Sequence, residues 1–163
     1  ELLRLNPPER TRGDDERRTK SSVRQLMGLV ESVCSEQVDT QDKKALLEDL
    51  SFALRPQVLS PEARDAFVRE AIGGGIVEQA VVLIEQGGSS VAAAALNFMG
   101  DFAFNSDRGA REVLKVFDRI ADCFQYIFSS SAVPCAENGL LHAAILLCVN
   151  IAATCPSGHL LLV

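Results

Sequence analysis

The chain has 163 residues, a net charge of −6 and a hydrophobic content of 47%, so it can bury a core as one ordinary domain or as about three to four units of a helical repeat of roughly 40 to 47 residues. It contains one Tyr and no Trp, and its apolar residues lack the strict alternation of strands, which favours an all-α fold. The acidic balance argues against a protein that binds nucleic-acid backbones, because such binding requires clustered Lys and Arg.

Residues 1–20 differ in composition from the rest of the chain. They contain two prolines, one glycine and many charges of both signs, a composition typical of segments that do not bury a core. Asp14, Asp15 and Glu16 offset the neighbouring arginines, which favours a solvated segment over one that binds an acidic surface. We therefore predict a charged flexible tail or linker at 1–20 and a folded domain at 21–163.

Two helices are predicted in the next segment, 21–55. Ser21 and Ser22 precede an apolar periodic stretch that extends to Cys34, and its three-and-four spacing is typical of a helix face. Asp39 or Thr40 would cap a second helix that ends near residue 54, because short polar side chains accept hydrogen bonds from free amides at helix starts.

The segment 60–105 is predicted to contain three helices. Ser60 followed by Pro61 is a strong helix start, and the glycines at 73–75 would end that helix. An apolar helix then runs from Ile76 to the Gly87–Gly88 pair, and a third helix is expected to begin at Ser89 or Ser90 and to extend to residue 105. Four positions spaced four apart form a mostly polar line on this third helix: Ala93, Asn97, Asp101 and Asn105.

Both patterns recur along the chain. The apolar positions of the central helix return 44 residues later, and the polar line returns 49 residues later and, less clearly, 50 residues earlier. Such recurrence predicts successive copies of one structural unit. The apolar positions Ile76, Ala80, Leu83 and Ile84 correspond to Ile120, Phe124, Ile127 and Phe128. The polar line corresponds to His142, Leu146, Asn150 and Thr154 on the later side, and to Lys43, Leu47, Ser51 and Arg55 on the earlier side.

The unit resembles the armadillo repeat, and the related HEAT repeat is a close alternative. The resemblance rests on Gly-Gly-Ile-Val at 74–77, the Ala-rich helix with Ala-Leu at 95–96, the closing Asn105, and the pair Gly109–Ala110. It implies a right-handed superhelix of three-helix repeats whose third helices line a concave groove. The units would be a partial repeat at about 21–55, full repeats at 60–105 and 108–155, and the start of a truncated repeat at 156–163.

The resemblance also implies a peptide-binding surface. In armadillo repeats an Asn of the third helix contacts the backbone of an extended peptide, and a Trp one turn earlier packs on its side chains. Asn150 matches that Asn and Asp101 takes the equivalent place, but the Trp positions hold Asn97 and Leu146. We call the resulting candidate site the third-helix surface and expect it to bind proteins or peptides, including basic segments; it comprises Asn97, Asp101, Asn105, His142, Leu146 and Asn150.

The sequence offers little for catalysis or metal binding. Cys135, His142, Cys155 and His159 lack the C-x2-C spacing of a zinc site, and no base or orienting group for a Cys-His nucleophile is recognisable. We therefore expect a non-catalytic scaffold without metal or cofactor, with a regulatory domain of a larger enzyme or a small-GTPase regulator as the alternative. The five cysteines, an odd number, suit a reducing compartment, the cytoplasm or the nucleus.

The last part of the chain is apolar. The run from Gly139 to Ala153 is shorter than the roughly 20 residues that cross a bilayer, and we predict a buried helix there. No Lys or Arg follows Arg119, and the sequence closes with three leucines and Val163. Because terminal repeats normally carry a polar outer side, we expect further repeats, another chain or a second copy of this chain to cover this end.

Overall fold

The computed structural model describes residues 12–104, 106–129 and 138–154. These residues form eight α-helices and no strand, as the composition predicts. The helices are α1 (Arg12–Cys34), α2 (Thr40–Ala53), α3 (Pro61–Gly73), α4 (Ile76–Gln86), α5 (Gly88–Ala103), α6 (Asp107–Lys115), α7 (Phe117–Ser129) and α8 (Asn138–Thr154).

Three helices begin at side-chain caps, two of which were predicted. Asp39 accepts hydrogen bonds from the amides of Gln41 and Asp42 at 2.8 and 2.9 Å, and Ser60 accepts from Ala63 at 3.2 Å. Ser106, which sequence analysis did not single out, caps α6 through the amide of Gly109 at 3.1 Å. Each cap satisfies amides that have no partner within the helix.

Two predicted helix starts are wrong. The third helix of the central segment begins at Gly88 without a side-chain cap, because Gly88 has a φ of 75° and makes the turn after Gly87 itself. The serines at 89 and 90 therefore lie inside the first turn. α1 begins at Arg12, so its first turns occupy part of the segment predicted to be a tail, and residues 1–11 lie outside the described residues.

Helices that stand three apart in chain order contact one another. α4 contacts α1 and α7, α5 contacts α2 and α8, and α3 contacts α6. Neighbouring helices in the chain also pack together, as α4 does with α5 and α5 with α6. α5 thus has neighbours on most sides, and all its residues from Val91 onward are buried or partly buried.

The core follows the predicted apolar faces. Ile76, Ala80, Leu83 and Ile84 are at most 5% exposed, and Ile120, the counterpart of Ile76, is fully buried. Phe102 is also buried, with its ring edge-on to Phe67 of α3 at 6.3 Å between ring centroids. At the surface, Arg119 of α7 forms ion pairs with Glu78 and Glu85 of α4 at 2.7 and 3.0 Å.

α8 is not the wholly buried helix that its composition predicted. Leu140, Ala143, Leu147 and Ile151 are at most 3% exposed, and they share one side of a helix that packs on α5 and α6. The other side faces outward and is also apolar, so composition alone could not distinguish the two. None of the described helices is both long and apolar enough to cross a membrane.

Candidate protein-binding surface

The predicted polar line on α5 is accessible. Ala93, Asn97 and Asp101 are partly exposed, whereas the residues between them from Val91 to Ala103 are buried. Because they stand four apart, they form one line along the helix. Asn105, the last member of that line, lies outside the described residues.

Asp101 has an ionic and hydrogen-bonded environment of its own. Its Oδ2 accepts a hydrogen bond from the hydroxyl of Ser51 on α2. The carboxylate also interacts electrostatically with Arg64 of α3. Asp101 therefore binds α2 through Ser51 and acts on Arg64 of α3 through its charge, in addition to lying partly exposed.

Arg64 is the buried partner in this group. It is 6% exposed, and its Nη1 donates a hydrogen bond to the carbonyl oxygen of Phe104, at the end of α5, at 2.7 Å. Burial lowers the pKa of Arg64 below its usual value, and the carboxylate of Asp101 acts in the opposite direction. A buried guanidinium needs such partners, because an uncompensated charge in the interior is costly.

The amide of Asn150 binds a neighbouring helix. It is 8% exposed, and its Nδ2 donates to the carbonyl oxygen of Gly100 on α5 at 3.0 Å. A side chain at Gly100 would reach van der Waals contact with Asn150 and Leu147, so α5 and α8 approach closely at this glycine. Asn150 therefore lies at the contact between α5 and α8, where its amide joins the two helices, and its predicted contact with a peptide stays a prediction.

The α2 part of the predicted polar line is buried as well. Lys43 and Ser51 are each 8% exposed and Leu47 is fully buried, since this side of α2 packs towards its neighbours. On α8, by contrast, His142 is exposed and Leu146 is partly exposed. The accessible third-helix surface therefore consists of Asn97, Asp101, His142 and Leu146.

A second surface lies on α8 and was not singled out from the sequence. Leu141, Ile145 and Val149 are 42%, 55% and 54% exposed, and Cys148 lies beside them in the same shallow groove, which Phe124 of α7 also lines. We call Leu141, Ile145, Cys148 and Val149 the outer face of α8. The spacing of four residues was visible in the sequence, but it appeared as part of a continuous apolar run.

The described cysteines do not resemble activated nucleophiles. Burial raises the pKa of Cys34, Cys123 and Cys148 above the usual value for a thiol, so at neutral pH these thiols stay protonated. Within the described part of the chain, no group of three or more His, Cys, Asp or Glu side chains could hold a metal ion. The remaining candidates for such chemistry, Cys135, Cys155 and His159, lie outside the described residues.

Comparison of the chain with protein-family models, with curated proteins and with solved structures gave no match. The functional interpretation therefore depends on the geometry of the two surfaces.

Proposed function

We propose that the chain is a non-catalytic, protein-binding scaffold made of armadillo-type helical repeats. The contacts between helices three apart support this arrangement, because in such a stack each unit packs against the same elements of the next unit. On this proposal α1, α4 and α7 are second helices, α2, α5 and α8 are third helices, and α3 and α6 are first helices.

Hydrogen bonds between corresponding positions support the same interpretation. Ser51, Asp101 and Asn150 occupy corresponding places in the recurring polar line. Ser51 donates to Asp101, and Asn150 donates to Gly100, the neighbour of Asp101 in sequence. On this proposal, each third helix is hydrogen-bonded to the next one near corresponding positions of the polar line.

The observation that carries the binding function is the exposed apolar outer face of α8. Among the described residues, the exposed large apolar side chains are Phe52, Val58, Leu141, Ile145 and Val149, and three of these five lie on this one helix face. Isolated exposed apolar residues are normal, but a contiguous group marks a protein contact. A helix with a matching apolar side would bury this group.

The third-helix surface is the weaker candidate for a basic peptide. Its single carboxylate, Asp101, already accepts a hydrogen bond from Ser51 and lies near the guanidinium of Arg64. Both partners reduce the attraction of this carboxylate for a further cation, such as a Lys or Arg of a peptide. Asn97, His142 and Leu146 remain as additional contact residues beside the outer face of α8.

A binding experiment with matched variants tests the proposal. The full chain is immobilised, incubated with cell lysate, and the captured proteins are quantified by mass spectrometry. We expect Val149→Glu to reduce the captured partners at least about tenfold, since burying a carboxylate against apolar groups is costly. Val58→Glu makes the same change at a residue that is 50% exposed, and it should leave capture unchanged.

Variants of the third-helix surface complete the experiment. If Asn97→Ala and His142→Ala remove the partners while Val149→Glu does not, the third-helix surface is the docking site and the outer face of α8 is not. Equal capture by the parent chain and all these variants would contradict the proposed function.

A further inference from the structure

A groove lies between α1 and α3, away from the two surfaces described above. On α3 it is lined by the partly buried Ala66 and the exposed Glu70. Its volume of about 790 Å³ falls within the range of about 300–1,000 Å³ in which ligand sites are found, so the side chains of a peptide can enter it. We call it the α1–α3 groove, and its α1 side includes the exposed residues Arg17, Lys20, Arg24, Gly28 and Glu31.

Three cations share the side of α1 that faces this groove. Arg17, Lys20 and Arg24 follow one another at intervals of three and four residues, which places them in one line along the helix. Within the described part of the chain, none of the three forms an ion pair. Like charges at these intervals repel one another and destabilise a helix, so carboxylates from a partner would relieve this side of α1.

The fold separates charges that offset one another in the sequence. Asp15 and Glu16 precede the three cations in the chain, but they line a different groove, beside Leu59 and Glu62. The balance of charge that favoured a solvated segment therefore does not hold locally, because the cations line the α1–α3 groove and these two carboxylates do not.

Gly28 leaves space on the α1 side of the groove. It lies four residues after Arg24, inside α1, and a Cβ added there would have nothing within 4 Å. Glycine disfavours the interior of a helix relative to alanine, but it allows another backbone to approach closely. The groove therefore has room for a peptide backbone next to the cations.

The other end of the groove carries the opposite charge. Glu31 stands seven residues after Arg24 on α1. A Cβ added at Gly74, which follows α3, would touch Met27, so the end of α3 that carries Glu70 lies at the Glu31 end. A nucleic-acid backbone is negative along its whole length and would be repelled there. A protein segment with carboxylates at one end and a Lys or Arg at the other complements both ends.

We propose that the α1–α3 groove binds an acidic segment of another protein, with its carboxylates against Arg17, Lys20 and Arg24 and its backbone beside Gly28. The distance from Arg17 to Glu31 is roughly 21 Å along the helix, which an extended segment of about six or seven residues covers. The site lies on helices other than α8 and acts through charge, so it is independent of the outer face of α8.

Binding of a labelled peptide to the full chain tests the proposal. The probe is a fluorescein-labelled peptide of about ten residues with Glu throughout its first half and a Lys near its end, and the control peptide has Gln in place of each Glu. In anisotropy titrations at low ionic strength, the Glu peptide should bind at least about tenfold more tightly than the Gln peptide. Added salt should reduce this difference. Equal binding of the two peptides would overturn the proposal.

Two variants with the same net charge locate the binding site. Arg24→Glu reverses a charge in the groove, and Arg108→Glu makes the same change at an exposed arginine of α6 outside it. Arg24→Glu should weaken binding of the Glu peptide at least about tenfold, whereas Arg108→Glu should weaken it less than about twofold, because distant exposed charges are screened. An equal loss in both would mean that only net charge matters, which contradicts the proposal.

Gly28→Leu tests the groove without a change of charge. The open space around Gly28 and the higher helix propensity of Leu should keep the variant folded, with an unfolding midpoint that is unchanged or raised, as circular dichroism would show. Its side chain would occupy the place of the peptide backbone, so binding of the Glu peptide should weaken at least about fivefold. A folded variant that binds like the parent chain would overturn the proposed position of the peptide.

Two further measurements separate this inference from its alternatives. If a single-stranded DNA oligonucleotide of equal charge binds as tightly as the Glu peptide, the cations attract any polyanion and the inference is wrong. Val149→Glu should bind the Glu peptide like the parent chain, since α8 does not line the groove. If the Glu peptide does not bind the parent chain while Val149→Glu still loses captured partners, the inference is wrong and the proposed function stands.

Discussion

At the scale of single residues, Arg64 is a charged side chain that is only 6% exposed. Its guanidinium carries a positive charge in a buried place, and neighbouring groups must compensate that charge. The carbonyl oxygen of Phe104 supplies a hydrogen bond at 2.7 Å, and Asp101 supplies the opposite charge. Asp101 therefore contributes to stability through Arg64 as well as to the character of the surface.

Replacing Asp101 with Asn should reveal this contribution. Asp101→Asn keeps the size of the side chain but removes the negative charge near Arg64, and we expect the free energy of unfolding to fall by about 1–3 kcal/mol. Urea denaturation followed by circular dichroism measures this change.

Asp65→Asn is the matched control for that substitution. Asp65 pairs with Arg69 at 2.6 Å on the exposed surface, where an ion pair contributes about 0–1 kcal/mol at most. An equal loss of stability in the two variants would mean that Asp101 does not compensate a buried charge.

The accessible part of the candidate site could be predicted from spacing, and the buried part could not. Asn97 and Asp101 lie on the outward line of α5 as their four-residue interval predicts. Asn150 fits the same interval but is buried, because α8 packs against α5 there and its Nδ2 donates to the carbonyl oxygen of Gly100. Helical periodicity tells which residues share a face, but it does not tell how near the next helix will come.

At the scale of helices, local chemistry predicted two of the three described starts that depend on a side-chain cap, and the cap Ser106 of α6 was missed. Asp39 and Ser60 cap α2 and α3 through their own oxygens. The start of α5 depends instead on backbone conformation, since Gly88 adopts a positive φ, and the nearby serines were misleading. The start of α1 was also missed, because the charged segment before Ser21 lacks the apolar periodicity on which the helix prediction depended.

Gly109 should be needed for the connection between α5 and α6. A Cβ added there would overlap the carbonyl oxygen of Phe102 and would lie 3.2 Å from the capping hydroxyl of Ser106. Since the obstacle is backbone, Gly109→Ala should cost about 1–3 kcal/mol. Thermal unfolding should show a midpoint lowered by roughly 3–10 °C.

Gly100→Ala provides the comparison for that prediction. The nearest atom to its added Cβ would be Nδ2 of Asn150 at 3.4 Å, an ordinary contact, and Ala is the better helix former by about 1 kcal/mol. Its unfolding midpoint should stay the same or rise. A Gly109→Ala variant as stable as Gly100→Ala would contradict the close approach of the backbone at Gly109.

At the scale of the whole molecule, the two ends of the row α2, α5 and α8 differ in chemistry. The exposed side of α2 carries Asp42, Glu48 and Asp49 beside the exposed ring of Phe52, whereas the exposed side of α8 carries Leu141, Ile145 and Val149 and no charge. A terminal repeat that faces water normally has a polar outer side, as α2 has in these carboxylates. An apolar side such as that of α8 is typical of a repeat that packs against a neighbour.

An all-α fold follows from composition. Neither composition nor the recurring intervals could indicate that one side of α8 is exposed. An apolar residue in a continuous apolar run gives no sign of which neighbour covers it, and Leu140 and Leu141 illustrate this, since these adjacent leucines are 3% and 42% exposed. Only the placement of α8 against α5 separates them.

Hydrogen exchange should report whether the helices behave as stacked units. In a stack, each unit is stabilised mainly by its neighbours, so α5, which contacts α2, α4, α6 and α8, should exchange most slowly. The first turns of α1, where Asp15 to Arg18 are exposed, should exchange fastest, and α8 should lie between them. Mass spectrometry of peptides from a dilute sample measures this order. Uniform protection of α1, α5 and α8 would contradict the stacked arrangement, because it would mean that the chain opens only as a single unit.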